Sequence, residues 1–430
     1  MLTRYAEGDR DFRNAKLSGA DLSGQKLSGI DLMFAKCDRA NFSNTNLAEA
    51  DLSYAVFDHA NLQKANLTKA DLTGTNLCHA NLKGARLGEA ILEETLYTPD
   101  TIFPKKVDLS AAYCLQPQAE LPEISMIRGM VLIDADLSDA NLEEADMPGV
   151  HLKRANLQRS NLKTANLDGV DLESANLQAA NLSDSDLRGS WLHQANLVQA
   201  NLQNADLRRA NLKQANFSQA NLAGANLHYQ DLTQTIIAGG DLRQANLARC
   251  DLRGLDLRTV NLEGADLNGA IADDHTQFPE EFQPDGLYHL VPGASLVGAD
   301  LEGLKLDGVD LAGINLENAN LDRISWINVN LSNANLRGAR LDGVTLSGNF
   351  EVANFSEAYV DQSSLSGNFT KANFSESRIS QSFLQEIDLT QSNFRGAKLA
   401  EVTLKNANLA AVNLSDAILE DVVTVDCYSE

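Results

Sequence analysis

The chain has 430 residues, with 59 acidic against 35 basic side chains and a formal net charge of −24. No run of 18 apolar residues occurs, which excludes a transmembrane helix defined by hydropathy. Residues 273–430 hold −15 of that charge and would repel nucleic acid, and five dispersed cysteines (Cys37, Cys78, Cys114, Cys250 and Cys427) form no disulfide framework.

Residues 1–11 carry no apolar signal core, so they read as an N-terminal cap and the expected compartment is the cytoplasm. From Phe12 to Tyr97 the sequence counts in fives. Leu17, Leu22, Leu52, Leu62 and Leu67 fall on one beat, with Ala15, Ala20, Ala50, Ala60 and Ala65 two places earlier. Asp21, Asp51, Asn61 and Asn66 stand one place earlier. On an α-helix five residues advance roughly 500°, so no apolar stripe forms, and on a straight strand successive Leu side chains would switch faces. A chain that runs extended for about three residues and then bends can bury both the Ala at i−2 and the Leu at i. Ser18-Gly19 and Ser23-Gly24 supply the corner chemistry. Bends of constant hand wind into a solenoid whose coils hydrogen-bond roughly 4.8 Å apart.

Residues 98–131 interrupt the beat. It returns over 132–272, breaks again over 273–295, resumes over 296–424, and leaves 425–430 as a β-prone tail. The three blocks 12–97, 132–272 and 296–424 hold 18, 28 and 26 central positions. Seven of the eight prolines lie in the two breaks, and the breaks resemble each other. Thr101-Ile102-Phe103-Pro104 and Tyr113 match Thr276-Gln277-Phe278-Pro279 and Tyr288 at an offset of 175, while Gly129 and Leu132 match Gly293 and Leu296 at 164. The first break is therefore read as 11 residues longer, between Tyr113 and Gly129. A matched pair argues for a duplicated module in which Phe103-Pro104 and Phe278-Pro279 cover the end of one stack and let the next begin. Projecting loops that grip a partner are the functional alternative. In the third block the steps Leu346 to Phe350 and Leu365 to Phe369 are one residue short, which predicts a tightened corner on one face. Phe350, Phe355, Phe369, Phe374 and Phe394 there predict a differently filled bore.

Ala20-Asp21-Leu22-Ser23-Gly24 and Ala70-Asp71-Leu72-Thr73-Gly74 resemble the motif of the pentapeptide-repeat family throughout, and the opening from Arg4 to Phe12 is similar to the start of many cyanobacterial members. The resemblance implies an all-β fold, a right-handed quadrilateral β-helix with four repeats per coil, here in about three coil stacks separated by two Phe-Pro interruptions. Leu, Phe and Ala at the inward positions imply a solid bore without an internal pocket.

Candidate chemistry is sparse. His59 and His79 are 20 residues apart, hence stacked on one face beside Asp58 and Cys78. Strand walls would hold them parallel, with no third ligand, so no metal site is assigned. His151, His193, His228, His275 and His289 read as unpaired surface residues. There is no Gly-x-Ser-x-Gly elbow and no phosphate-binding loop, and the carboxylates have no cleft to shift their titration. No catalytic or cofactor-binding residue is assigned, and an enzyme is not expected. Asn156, Asn161, Asn166, Asn176 and Asn181 at i−1 read as ladders that stabilise the coil. Asp at i−1 supplies 18 of the acids, yet residues 273–430 hold −15 of the charge with only three of these motif aspartates. That part would attract a basic protein surface.

The expected function is a non-enzymatic scaffold or regulatory protein that binds protein partners through solenoid faces, loops or ends, without direct nucleic-acid binding or membrane insertion. It would be a monomer or an end-to-end dimer. The resemblance implies a second reading, because some members mimic double-stranded DNA and shield type II topoisomerases; here the chain is much longer and its tail has no dimerising helix.

Overall fold

The structure is a computed structural model and describes residues 1–121 and 131–429. It comprises two compact units. The first is Met1–Asp251 with Leu255–Asp266 and Gln277–Phe282; the second is Leu252–Gly254, Leu267–Thr276 and Gln283–Glu430.

In the first unit every repeat solves the same problem. The Asn41 N–H donates to the Ala20 carbonyl at 2.8 Å and the Phe42 N–H to the Asn61 carbonyl at 2.7 Å, so each repeat bonds to the coil on either side. Parallel bridges join Asp31 to Asp51 and Asn156 to Asn176, which makes the coil 20 residues long and four-sided. At the corner, the Ala20 N–H closes a turn on the Leu17 carbonyl at 3.0 Å, and the third turn residue has positive φ. Glycine fits there without strain (Gly19, φ 68°), but many corners use other residues, such as Lys64 and Gln199 at 57° and 61°. Each costs roughly 1–2 kcal/mol. Bonds such as Gln199 N–H to the Ser218 carbonyl, 3.0 Å, offset that cost.

The motif Asp or Asn has two tasks. Its Oδ1 accepts the N–H two residues on, as Asp21 does from Ser23 at 3.0 Å. An Asn also donates Nδ2 to the Oδ1 one coil back: Asn181 to Asn161 and Asn201 to Asn181, each 3.0 Å. Asn156, Asn166 and Asn176 do the same toward Asp136, Asp146 and Asn156, so the predicted ladders form. Inside, Cys37 and Cys250 are buried as small apolar residues, and burial pushes the Cys250 thiol up to about 12.

The N-terminal end is covered by helix α1 (Leu2–Ala6). Tyr5 donates its hydroxyl to the Ser28 carbonyl at 2.7 Å, and Met1 and Tyr5 pack on the first core. At the other end of that core, β1 (Leu96–Tyr97) pairs in parallel with β2 (Tyr113–Cys114). Phe103 packs on the same core and meets Tyr97 edge-on at 5.4 Å. The coil register resumes earlier than the sequence pattern does. Gln118 N–H donates to Ser138 and Leu121 N–H to Asn141, both at 2.8 Å, with Ala119 and Leu121 buried. The counterpart of Gly293 is therefore Gln118, not Gly129: both take positive φ, 63° and 72°, and the offset of 175 holds through Leu121. The added length of the first break is thus confined to the stretch after Leu121. Pro122 and Gly129 lie outside the described residues.

The second unit opens with the same device. β3 (Ile271–Ala272) pairs with β4 (Tyr288–His289), and Thr276 Oγ1 donates to the Leu252 carbonyl at 3.1 Å, as Thr101 does to Leu77 at 3.1 Å. Beyond it two faces become regular sheets. The strands in chain order are β5 (Lys305–Asp307), β6 (Ser325–Asn330), β7 (Arg340–Asp342), β8 (Thr345–Asn349), β9 (Tyr359–Asp361), β10 (Ser364–Asn368), β11 (Arg378–Ser380), β12 (Phe383–Asp388), β13 (Lys398–Ala400), β14 (Thr403–Lys405), β15 (Ile418–Glu420) and β16 (Val423–Val425). One parallel sheet runs β5-β6-β8-β10-β12-β14-β16 and the other β7-β9-β11-β13-β15.

The two short steps fall on adjacent coils, but the corner is opened rather than tightened. β8 and β10 run extended and pair without slippage from Thr345–Ser364 to Asn349–Asn368. Their neighbours β6 and β12 keep the extra residue as a bulge, with Asn328 and Glu386 at φ 54° and 52°. Losing that residue drives the coils together. A Cβ on Gly367 would overlap the Gly348 carbonyl oxygen, and one on Gly348 would overlap that of Val329. The bore is filled as predicted by aromatic stacks: Phe350 on Phe369 at 4.3 Å, and Phe355, Phe374 and Phe394 at 4.8 and 4.7 Å. Val425 lies in β16 and Tyr428 bridges to Asn408, so the tail continues the coil as far as it is described.

Candidate protein-interaction surfaces

Because Leu, Ala and Phe fill the bore, polar side chains are presented on the outside. His59 and His79 do stack, with ring centroids 4.5 Å apart and planes tilted by 33°. Each imidazole is held at Nδ1 by a carboxylate, His59 by Asp58 at 3.0 Å and His79 by Asp100 at 2.7 Å. Asp100 comes from the first break, which the repeat pattern does not describe. Cys78 and Thr98 also line this cavity of about 60 Å³. Among the described residues no group of three or more His, Cys, Asp and Glu side chains is placed to hold a metal ion.

Among the described residues the remaining histidines form no such stack, but four of them have polar neighbours. His193 Nδ1 lies 2.9 Å from the Lys213 carbonyl, and His151, His275 and His289 lie 3.5–3.7 Å from Asp171, Asp273 and Asp274. Side chains of consecutive coils are close enough to meet, and a period-five pattern carries no signal for which torsions bring them together. His228 is the exception: it packs edge-on against the Tyr229 ring at 4.7 Å, and its buried Nδ1 has no hydrogen-bond partner among the described residues.

Acidity is partly neutralised locally in the first unit. Arg188, Arg208, Arg243 and Arg258 stand two residues after Asp186, Asp206, Asp241 and Asp256, and each donates Nε and Nη2 to that carboxylate. The Arg258 guanidinium, and then its N–H, hold Asp256 down at about 2. In the second unit the last coil presents Leu414, Ile418, Leu419, Val423 and Tyr428 as exposed apolar side chains. No helix among the described residues is long and apolar enough to cross a membrane.

The profile of pentapeptide repeats (8 copies) matches the chain over residues 11–94, 135–271 and 294–423 in twelve segments. The chain belongs to the pentapeptide-repeat family. Solved structures of other pentapeptide-repeat proteins are similar to it. HetL, a protein involved in heterocyst differentiation regulation from the cyanobacterium Nostoc, is 28% identical, covers 63% of this chain and 94% of its own, with a TM-score of 0.20. A second Nostoc pentapeptide-repeat protein is 34% identical over 26% of this chain and 91% of its own, TM-score 0.17. QnrB1, a plasmid-mediated fluoroquinolone resistance protein, is 15% identical over 59% of this chain and 94% of its own, TM-score 0.23. No curated protein matches this pentapeptide-repeat chain at a significant level.

Proposed function

We propose that this pentapeptide-repeat chain is a non-enzymatic cytoplasmic scaffold or regulatory protein that works through protein–protein contacts on its faces, loops and ends. The observation that carries this reading is the filled bore, which leaves broad outer faces as the places where chemistry is presented. Support for a partner with a basic surface comes from the −15 carried by residues 273–430. The exposed apolar last coil supports end-to-end pairing of two copies.

The test is affinity capture from the native cell with the full chain and with a variant carrying Glu357→Gln, Glu376→Gln, Glu401→Gln and Asp421→Asn. Loss of specific partners from the variant supports the acidic surface as the docking face; identical partners in identical yield sink it. Sedimentation velocity that finds only monomer at high concentration removes the end-to-end dimer. Inhibition of gyrase supercoiling over a concentration series would favour DNA mimicry instead.

A further inference from the structure

Within this acidic chain, residues 186–251 are slightly basic, with six basic and five acidic side chains. The coil period gathers four of those cations on one corner of the first unit. Arg188, Arg208 and His228 occupy the first turn position of successive coils, and Gly189, Arg209, Tyr229 and Arg249 the second. All of these but Arg249 line, with Asp168, a groove of about 540 Å³.

The guanidiniums differ in how they are held. Arg188 and Arg208 are fixed by two-point bonds to Asp186 and Asp206, which leave the Nη1 edge of each fork without a protein partner among the described residues. Arg249 touches the Tyr229 hydroxyl and lies 5.1 Å from the centre of its ring. Arg209 is exposed and has no carboxylate partner among the described residues. Tyr229 is 48% exposed, and Trp191, two residues beyond Gly189, is 58% exposed. Arg, Tyr and Trp are the side chains that dominate binding energy at protein interfaces.

We propose that this corner docks an acidic segment of a partner protein, with carboxylates meeting Arg209 and the free edges of Arg188 and Arg208, and an aromatic or aliphatic side chain seated on Tyr229 and Trp191. Charge complementarity selects that occupant. The patch is four coils tall, about 15 Å at the spacing of neighbouring strands, and is bounded by Asp168, Asp186 and Asp206. It fits a few carboxylates, whereas a duplex needs a long unbroken cationic stripe. The inference rests on the protein–protein reading above but assigns a second surface of opposite character to the acidic one.

A phage-displayed random dodecapeptide library selected against the full chain tests it. The enriched peptides are then synthesised with a fluorescent label and titrated by anisotropy. The expected enrichment is for peptides with several Asp or Glu around an aromatic or aliphatic residue. Affinity should fall about tenfold or more in Arg209→Glu and in Trp191→Ala, and less than about twofold in Arg39→Glu, a like change at the same turn position far from the groove. Glu already occupies that turn position with positive φ at Glu49 and Glu144, 61° and 59°, so the variants should fold, and their melting curves check it. No enrichment of acidic peptides overturns the proposal, as does equal binding by all three variants. Binding of a 20-base-pair duplex that is lost in Arg209→Glu would assign the patch to nucleic acid and also overturn it. Any such failure leaves the scaffold reading standing, because that reading is judged by partner capture with the acidic-surface variant.

Discussion

The middle repeats of the first unit and the repeats of the second share a period but not a corner. In the former, Leu and Ala fill the bore, the polypeptide turns sharply every five residues, and Asn and Asp side chains bond coil to coil outside the backbone ladder. In the latter the same side-chain ladders continue, Asn354 to Asn335 and Asn373 to Asn354 at 3.0 Å each, but strands of up to six residues run through former corners, Phe stacks replace Leu over several coils, and two glycines let the backbones close on each other. One backbone path can therefore add aromatic stacking in the centre to the polar ladders at the turns.

The largest effect that separates the two should come from the aromatic stack. Phe374 lies between Phe355 and Phe394 and is fully buried, so Phe374→Ala should cost about 3–5 kcal/mol. Denaturant unfolding should place that loss in the second unit alone; an equal loss of protection in residues 150–250 by hydrogen exchange would break the distinction.

Next comes the glycine contrast. At Gly367 a side chain meets both a positive φ of 103° and the Gly348 carbonyl, whereas Gly169, at 64°, has nothing within 4 Å of the added carbon. Gly367→Ala should destabilise by about 2–4 kcal/mol and Gly169→Ala by about 1 kcal/mol. Equal melting temperatures for the two variants would mean that the coils in the second unit can part at little cost.

The smallest effect is electrostatic. Arg258 keeps the folded-state Asp256 at about 2 against an ordinary 3.8, so the unfolded chain takes up a proton first as pH falls. The stabilisation is present above about 4 and fades between about 4 and about 2. Arg258→Gln should flatten the melting curve across that window by a small, salt-sensitive amount, since the pair is exposed. A difference that grows above pH 5 would refute the assignment.

The five-residue beat made most of this legible. Inward positions, the stacking of residues 20 apart, the Asn ladders and the kinship of the two breaks all follow from spacing. What spacing does not contain is how a short step is absorbed. One residue fewer can sharpen a bend or remove it, and Gly348 removes it because a glycine backbone can approach Val329 closely enough for the strand to run on. The same limit hid Asp100, which reaches His79 from a break with no period, and the groove around Arg209, which exists only once four coils are stacked. Gln118 escapes the pattern for a second reason: it adopts the turn that Gly293 adopts but lacks the glycine that advertises it.

The coil-to-coil bonds also bear on how such a chain acquires its shape. Nearly every parallel bridge joins residues 19–21 apart in sequence, in both units. Contacts of fixed short range keep relative contact order low however many coils are added, so a longer chain need not fold more slowly per coil. With α1 and Tyr5 closing the first coil, a nascent chain can lay each new coil on the one just completed. Synthesis and folding would then advance in step from the N-terminus.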